Sequence, residues 1–312
     1  MATSNLNAPH FKDADKARKY LESQVWPHGP VCPHCGVIGE SYKLKGKSTR
    51  PGLYKCSACR EPFTVTVGTL FERSKIPLHI WLQAVYLLCS SKKGISSHQL
   101  HRTLGITYKT AWFMAHRIRE AMKDPVFTKM GGDGKIVEMD ETFWGNKLPK
   151  GQRPKRGYHH KEKIFSLVER GGSVRSFHVP DISARTLRPI VLQQIEKDTH
   201  LMTDDYASYR SLKKDFKRHS VVNHGIGEYV RGKIYTNTIE GYFSILKRGL
   251  TGVYQHVGSQ HLKRYIGEFD FRYSNRAALG ISDAERTDKA LKGISGKRLT
   301  YRRTDVEMEK TP

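Results

Sequence analysis

Apolar residues recur at helical spacing between Pro77 and Met122. Trp81, Val85 and Leu88 form one stripe, and a second helix has an inward side of Ala111, Met114, Ile118 and Met122. Ser96 or Ser97 and Thr107 are suited to cap the two later helices, and Gly105 lies in the turn between them. This pattern predicts a helix-turn-helix. The alternative, a plain helical hairpin within a small core, remains open at this point.

The pattern changes to a period of two in KIVEMDETFWG, residues 135–145. One side carries Glu138 and Asp140, and the other carries Val137 and Met139. Two strands follow at 164–170 and 173–180, then an amphipathic helix at 183–197, a short strand within 200–209 that ends in two aspartates, a strand at 220–225 and a helix at 236–250. This order predicts an α/β domain with an RNase H-like fold.

Four of the five cysteines form two matched knuckles, CPHC and CSAC. Cys32 and Cys35 are followed, after twenty residues, by Cys56 and Cys59. This spacing is typical of a zinc ribbon in which four thiolates hold one structural Zn²⁺ and the intervening chain forms a hairpin. A redox pair would not need the second knuckle. A histidine ligand, His28 or His34, is the remaining alternative, and Cys89 is expected in a core.

The expected organisation has five segments. An N-terminal helical lead covers 1–25, the zinc ribbon 26–68 and the helix-turn-helix region 69–130. The RNase H-like domain covers 131–280, beginning at the glycine-rich boundary GGDG, and a basic C-terminal tail covers 281–312. The predicted fold class is therefore α/β, with an RNase H-like domain preceded by a zinc ribbon and a helix-turn-helix.

The net charge of the chain indicates which class of partner it binds. The chain has 54 Lys and Arg against 30 Asp and Glu, a formal net charge of +24. Such an excess predicts a polyanionic partner, because each cation that meets a phosphate releases counterions. A bilayer crossing needs about 20 apolar residues, and no run in this sequence approaches that length. The start of the chain also lacks a secretory signal, so we expect a cytoplasmic protein with no membrane partner.

Three carboxylates stand in positions that suit phosphodiester chemistry. Asp140 lies within a strand, Asp204 at a strand end and Glu240 on the polar edge of a helix, two turns before Lys247. Two Mg²⁺ ions about 4 Å apart prefer such oxygen ligands. A single acid is usually a solvated surface charge, so the interpretation depends on all three converging. Asp205 is an open alternative to Asp204.

Together these motifs resemble the DDE-type insertion-sequence transposases that carry an N-terminal zinc ribbon, the insertion-sequence 1595 group. The resemblance rests on the two knuckles, the helix-turn-helix, VEMDETFWG, LMTDDYASY, and the stretch TNTIEGYFSILKRGLTGVYQHV that runs into HLKRYIGEFDFRYSNR. By position, Asp140, Asp204 and Glu240 match the three catalytic acids, and Lys247 matches the following basic residue. The resemblance implies two Mg²⁺ ions, with Mn²⁺ able to substitute, and DNA cleavage followed by strand transfer.

The same resemblance implies that the chain binds transposon ends and target DNA as a homodimer or larger assembly, in the bacterial cytoplasm at the nucleoid. The expected DNA contacts are Tyr108, Lys109 and Thr110 at the start of the recognition helix, Lys155 and Arg156 in the basic stretch 146–163, and Arg248. That stretch has a solvated charged loop as its alternative. Two other functions stay open: a DNA-binding regulator derived from a transposase, and an RNase H-fold nuclease without strand transfer.

Overall fold

A computed structural model describes residues 5–123, 128–145 and 160–300. Its internal contacts define two units, the first built from residues up to 90, 96–122 and those from 287 onward, the second from 91–95 and 123–286. Within the described ranges, no helix is both long and apolar enough to cross a membrane.

The first unit contains a small three-stranded antiparallel sheet between and beside the two cysteine knuckles. Its strands, in spatial order, are β1 (Ser41–Lys43), β2 (Tyr54–Cys56) and β3 (Pro62–Phe63). The predicted hairpin between the knuckles is therefore confirmed, as β1 and β2. Trp26, at the end of helix α1 (Ala14–Val25), packs edge-on against Tyr54 at 5.5 Å and Phe63 at 5.7 Å between ring centroids. These aromatic rings give the small ribbon an apolar centre.

The predicted helix-turn-helix is confirmed in the same unit. It follows α2 (Leu78–Ser90) and consists of α3 (Ser97–Leu104) and α4 (Tyr108–Ala121). Ser96 caps α3 by accepting the N–H of Gln99, and Thr107 caps α4 in the same way. Gly105 ends α3 in the left-handed conformation, at φ 64°, which glycine adopts without steric cost. The predicted inward side of α4 is buried.

The second unit is organised around a five-stranded sheet. Its strands are β4 (Ile136–Trp144), β5 (Glu162–Glu169), β6 (Val174–Val179), β7 (His200–Thr203) and β8 (Arg218–Val221). The spatial order is β6-β5-β4-β7-β8, with β4, β5 and β6 antiparallel and with β7 and β8 parallel to β4. This arrangement is the RNase H-like fold that the sequence pattern predicts. The strand expected at 220–225 instead spans 218–221, and a 3₁₀ helix, Ala207–Lys214, follows β7.

Helices cover both faces of this sheet. They are α5 (Ala184–Gln194), α6 (Asn237–Gly249) and α7 (Ser259–Ser274), and a short hairpin of β9 (Val230–Arg231) and β10 (Ile234–Tyr235) precedes α6. Helix α5 packs on the side of Val137 and Met139, whereas α6 and α7 pack on the side of Ile164 and Val168. The central strands β4 and β5 are thus covered on both faces, so polar side chains on β4 need partners from the covering helices.

Helix α8 (Asp283–Lys292) begins the segment expected to be a basic tail. Beyond it, Ile294 is fully buried and its carbonyl accepts the N–H of Leu70 at 3.2 Å. The N–H of Gly296 donates to the carbonyl of Gly68 at 2.9 Å. The described part of this segment, up to residue 300, is therefore folded, and residues 294–296 pair with residues 68–70 within the first unit.

Candidate catalytic and metal sites

The four knuckle cysteines meet in one cluster. Their sulfur atoms all lie within 4.8 Å of one another, and the Sγ–Sγ distance is 3.6 Å both for Cys32 with Cys59 and for Cys35 with Cys56. Four sulfurs bonded tetrahedrally to one Zn²⁺ stand about 3.8 Å apart, so the cluster fits this ion. Among the residues that the structure describes, no other group of His, Cys, Asp and Glu meets the same criterion.

The thiols of this cluster differ in acidity, since burial and neighbouring thiols raise the pKa of Cys35 and Cys59. The backbone N–H of Cys59, followed by that of Ala58, lowers the pKa of Cys56 to about 7. Metals bind the thiolate form, so this local environment favours the ligand state near neutral pH. The observed donors are all sulfur, as the spacing of the two knuckles predicts.

In the second unit, parallel pairing brings Asp140 and Asp204 side by side. Strand β4 pairs with β7 in the register Glu138 to Met202. Two residues further along each strand stand Asp140 and Asp204, at the carboxyl end of β7. Ligands of open α/β sheets bind at such strand ends. Asp140 accepts the N–H of Glu141 at 2.7 Å, and Asp204 accepts that of Tyr206 at 3.1 Å, which fixes one oxygen of each side chain.

The start of α6, which carries Glu240, is bound to β4 by the carboxylate of Glu138. The side chain of Glu138 is fully buried and accepts the N–H of Ile239 at 2.9 Å and the hydroxyl of Thr238 at 2.8 Å. It therefore holds the first turn of α6, and Glu240 is the next residue. Arg170 neutralises Glu138 at 2.5 Å. Two bonds anchor α6 to the strand that carries Asp140.

Burial and neighbouring carboxylates raise the pKa values of Asp140 and Asp204. Burial, then the charges of Glu141 and Asp204 and more weakly that of Glu240, raise the pKa of Asp140 well above its ordinary range. Burial also raises the pKa of Asp204, although the Tyr206 N–H opposes the shift. Carboxylates that destabilise one another's charge in this way are suited to a divalent cation, which removes the repulsion. The three carboxylates supply the oxygen donors that Mg²⁺ prefers, although among the described residues only the four cysteines lie close enough together to hold an ion as they stand.

Asp204 and Asp205 differ in solvent exposure and in the carboxylate whose pKa each of them raises. Asp204 is partly buried and its charge raises the pKa of Asp140, whereas Asp205 is exposed and its charge raises the pKa of Asp204. This geometry favours Asp204 as the second acid.

Lys247 and Arg248 are exposed on α6, and the guanidinium of Arg248 donates to the hydroxyl of Ser244 at 2.8 Å. Lys247 shares the exposed edge of α6 with Glu240.

Two side chains near the acids, those of His224 and Tyr209, were given no role by the sequence pattern. The Nε2 atom of His224 lies 3.8 Å from a carboxylate oxygen of Glu240. Glu141 accepts a hydrogen bond from the buried hydroxyl of Tyr209. Tyr209 ends the motif LMTDDYASY, but the motif alone does not show that its hydroxyl binds Glu141, and His224 lies outside the quoted motifs. Glu138 carries one signal, a charged residue inside a predicted strand.

The expected DNA contacts divide between described and undescribed parts of the chain. Tyr108 and Lys109 are exposed at the start of α4, and Tyr108 stacks on His98 at 4.3 Å between ring centroids. Thr110 is partly buried and bonds the hydroxyl of Thr107 at 2.8 Å. Lys155 and Arg156 lie outside the residues that the structure describes.

Two family comparisons cover the regions that hold these sites. Residues 131–274, which contain the three acids and Lys247, match the family of ISXO2-like transposase domains. Residues 12–61, which contain the four cysteines, match the transposase zinc-ribbon domain. Both families are of the insertion-sequence 1595 type, and together they account for more than half of the chain.

A relative that matches over most of its length is a protein in a transposable element. The chain is 29% identical over 280 residues to an uncharacterized protein in transposable element ISH50 of Halobacterium salinarum, covering 84% of this chain and 91% of that protein. Among solved structures, a simian T-cell lymphotropic virus intasome in complex with PP2A regulatory subunit B56 gamma has a TM-score of 0.29 at 14% identity, over 56% of this chain and 63% of that chain. The mariner Mos1 paired end complex with Mg has a TM-score of 0.24 at 14% identity, over 93% and 95%.

Proposed function

The chain belongs to the insertion-sequence 1595 group of DDE transposases, and on that premise we propose that it binds the terminal inverted repeats of its element and catalyses their metal-dependent cleavage and strand transfer. The observation that supports the proposal most is that Asp204 and Glu240 are both near enough to Asp140 for their charges to raise its pKa. The register of β4 with β7 supports the first pair, and the hold of Glu138 on α6 supports the third.

In this proposal Asp140, Asp204 and Glu240 hold two Mg²⁺ ions. When bound, the ions would activate the attacking oxygen and stabilise the leaving oxygen of the phosphodiester. The protein's own part is to present three oxygen ligands on two strands and a helix that do not need to move. Lys247, on the exposed edge of α6, would bind a phosphate near the cut as a point charge. Arg248 would extend this cationic edge.

The first unit would bind the DNA ends in this proposal. Helix α4 begins with exposed Tyr108 and Lys109 after a well-capped turn, as a recognition helix requires for the major groove. The ribbon, held by one Zn²⁺ on its four cysteines, supplies basic side chains beside it, and the net charge of +24 favours phosphate contacts throughout. Two ends must be held at once, so the working form would be a homodimer or a larger assembly.

The test uses the full-length protein, Mg²⁺ and labelled duplexes that carry the element's own terminal repeats. Wild type is compared with Asp140→Ala, Asp204→Ala and Glu240→Ala, and both nicked ends and joined products are scored. We expect all three variants to retain end binding and to lose both products. Asp205→Ala is the matched control, since it removes an adjacent exposed carboxylate, and it should cut and join.

Other outcomes separate the competing functions. Nicked ends without joined products in the wild type would favour a nuclease of the same fold. End binding without cleavage in Mg²⁺ or Mn²⁺ would favour a regulator. Loss of chemistry in Asp205→Ala but not in Asp204→Ala would move the second ligand to Asp205, and unimpaired cleavage in the Asp140→Ala variant would refute the site itself.

A further inference from the structure

The segment between β8 and α6 exposes an unusual amount of apolar surface. The exposed fractions are 78% for Ile226, 57% for Tyr229 and 52% for Val230. Single exposed apolar residues are ordinary, but a contiguous group marks a place where a partner binds. This segment, residues 223–235, includes the β9–β10 hairpin, and we refer to it as the apolar hairpin.

A groove of about 620 Å³ runs between the apolar hairpin and the 3₁₀ helix after β7, with the edge strand β8 as its floor. The cationic side chains that line it are Arg210, Lys213 and Arg231. Its one lining carboxylate, Glu228, is engaged, because it accepts the N–H of Asn223 and lies 3.5 Å from Arg231. Burial, with the charges of His200 and Lys213, lowers the pKa of His219 on the floor, which keeps it neutral. The groove is therefore net cationic.

The groove adjoins the proposed catalytic acids. His219 on its floor bonds the hydroxyl of Thr203 at 2.9 Å, and Thr203 precedes Asp204. On the other side, the ring of Tyr229 lies 5.0 Å from the ring of His224, whose Nε2 is 3.8 Å from Glu240. A strand bound at the acids would therefore have the apolar hairpin and the groove as its neighbours.

We infer that this groove and the apolar hairpin beside it together bind an unpaired DNA strand next to the cleaved phosphate, with a base stacked on Tyr229 of the hairpin and phosphates on Arg210, Lys213 and Arg231 of the groove. The inference rests on the proposed function, which supplies a DNA strand at the acids. Cationic grooves that carry exposed aromatic rings are the usual construction of single-strand sites. A duplex is a poorer fit for the apolar hairpin, because its base faces are already stacked on one another. Three cations around the groove favour a phosphate chain over an apolar protein surface.

The first experiment measures the affinity of the full-length protein for a short fluorescein-labelled oligothymidylate by anisotropy. Tyr229→Ala should weaken binding by about 10-fold, and Tyr229→Phe, which keeps the ring, should stay within about 2-fold of wild type. Tyr229 is exposed, so neither change threatens the fold. The affinity for a random-sequence duplex should be the same in all three proteins.

The phosphate contacts are tested through salt dependence. Loss of two contacts to a single strand flattens the slope of log affinity against log salt by about 1.4, which we expect for the double variant Arg210→Ala with Lys213→Ala. Arg185→Ala is the matched control, because Arg185 is an exposed cation on α5 outside the groove. It should leave the slope for oligothymidylate as in wild type.

A photo-crosslink locates the strand directly. An oligothymidylate with 5-iododeoxyuridine should crosslink to peptides of residues 223–235, and the yield should fall in Tyr229→Ala. Crosslinks confined to other peptides, or equal affinity in wild type and Tyr229→Ala, would overturn the groove. End cleavage is assayed separately: Tyr229-dependent binding by a protein that cuts no DNA would support the groove and refute the transposase. Normal cleavage by a protein whose binding to oligothymidylate does not depend on Tyr229 would support the transposase and refute the groove.

Discussion

At the scale of single residues, the buried carboxylate of Glu138 is the most informative side chain near the acids. It is fully buried, holds the N–H of Ile239, and lies two residues from Asp140 on the same strand. Arg170 is its cation, and the same guanidinium donates to the carbonyl of Tyr235 at 2.7 Å, just before α6. Glu138 thus links the strand of the first acid to the helix of the third.

We predict that Glu138→Gln slows end cleavage by about 10-fold or more and raises the Mg²⁺ concentration needed for half-maximal rate, because Glu240 loses its fixed place beside Asp140. The variant should also lose about 3–5 kcal/mol of stability, because it breaks an ion pair whose carboxylate is fully buried and leaves Arg170 without its counter-charge. Cleavage rates against Mg²⁺, at a temperature where the variant is folded, separate the two effects.

Two further variants decide whether Glu138 positions Glu240 or only stabilises the domain. Glu138→Gln with Arg170→Gln removes both charges, so it should regain stability but not the cleavage rate. Glu169→Gln is the matched control, because Glu169 also pairs with a cation, Lys135 at 3.4 Å, and accepts the N–H of Gly131 where Glu138 accepts one from α6. A cleavage rate that simply follows melting temperature across these variants would contradict a positioning role.

The same residue marks a limit of sequence-based prediction. The alternation of β4 correctly separates Val137 and Met139 from Glu138 and Asp140, and both apolar residues are buried under α5. The pattern predicts a polar second face. It does not predict that Glu138 is fully buried, because its partners Thr238 and Ile239 stand 100 and 101 residues further along the chain. Burial of a polar residue depends on tertiary contacts that periodicity does not contain.

At the scale of elements, the zinc ribbon is the part whose folding depends most on its ligands. Its strands are only two or three residues long and its apolar centre is small. Binding of a structural Zn²⁺ supplies about 10–16 kcal/mol at neutral pH, far more than such a core can. The local spacing of the cysteines was therefore sufficient to predict the ribbon.

We predict that Cys35→Ser loses the zinc ion, unfolds β1–β3 and abolishes binding to the terminal repeats. The second unit has its own core and should keep its melting transition. Metal content by atomic absorption, together with hydrogen exchange of peptides 41–63, measures these outcomes. Cys89→Ala is the control, because Cys89 is a buried thiol outside the cluster. Full zinc content in the Cys35→Ser protein would count against a tetrathiolate site.

Element boundaries were predicted less well than element order. Helix α6 begins and ends within one residue of the predicted 236–250, because its apolar face of Tyr242, Phe243 and Leu246 is continuous. Strand β8 is displaced from its prediction, since only four residues pair with β7 before the chain turns into the apolar hairpin. The exposure of that hairpin follows from its place at the edge of the sheet, and the sequence around Ile226 and Tyr229 gives no separate sign of it.

At the scale of the whole molecule, the first unit is assembled from both ends of the chain. The sequence pattern predicts contiguous segments, and the basic composition of 281–312 favours a tail. In the structure, Leu291 and Ile294 are instead fully buried, and residue 294 pairs with residue 70. Local periodicity contains no information on contacts between residues so far apart in sequence. The pairing of residues near 294 with residues near 70 could therefore be seen only in the structure.

Because residues 294–296 pair with residues 68–70, we predict that a substitution at residue 294 weakens the N-terminal part of the first unit. Ile294→Ala should cost about 2–5 kcal/mol, because it opens a cavity in a closed core. The amide of Leu70, which donates to the carbonyl of Ile294, should then exchange faster, as should its neighbours at 68–72. Lys292→Ala, an exposed change two residues earlier, should leave exchange unaltered. Faster exchange confined to residues near 294, with 68–72 unchanged, would mean that the two ends of the chain fold independently.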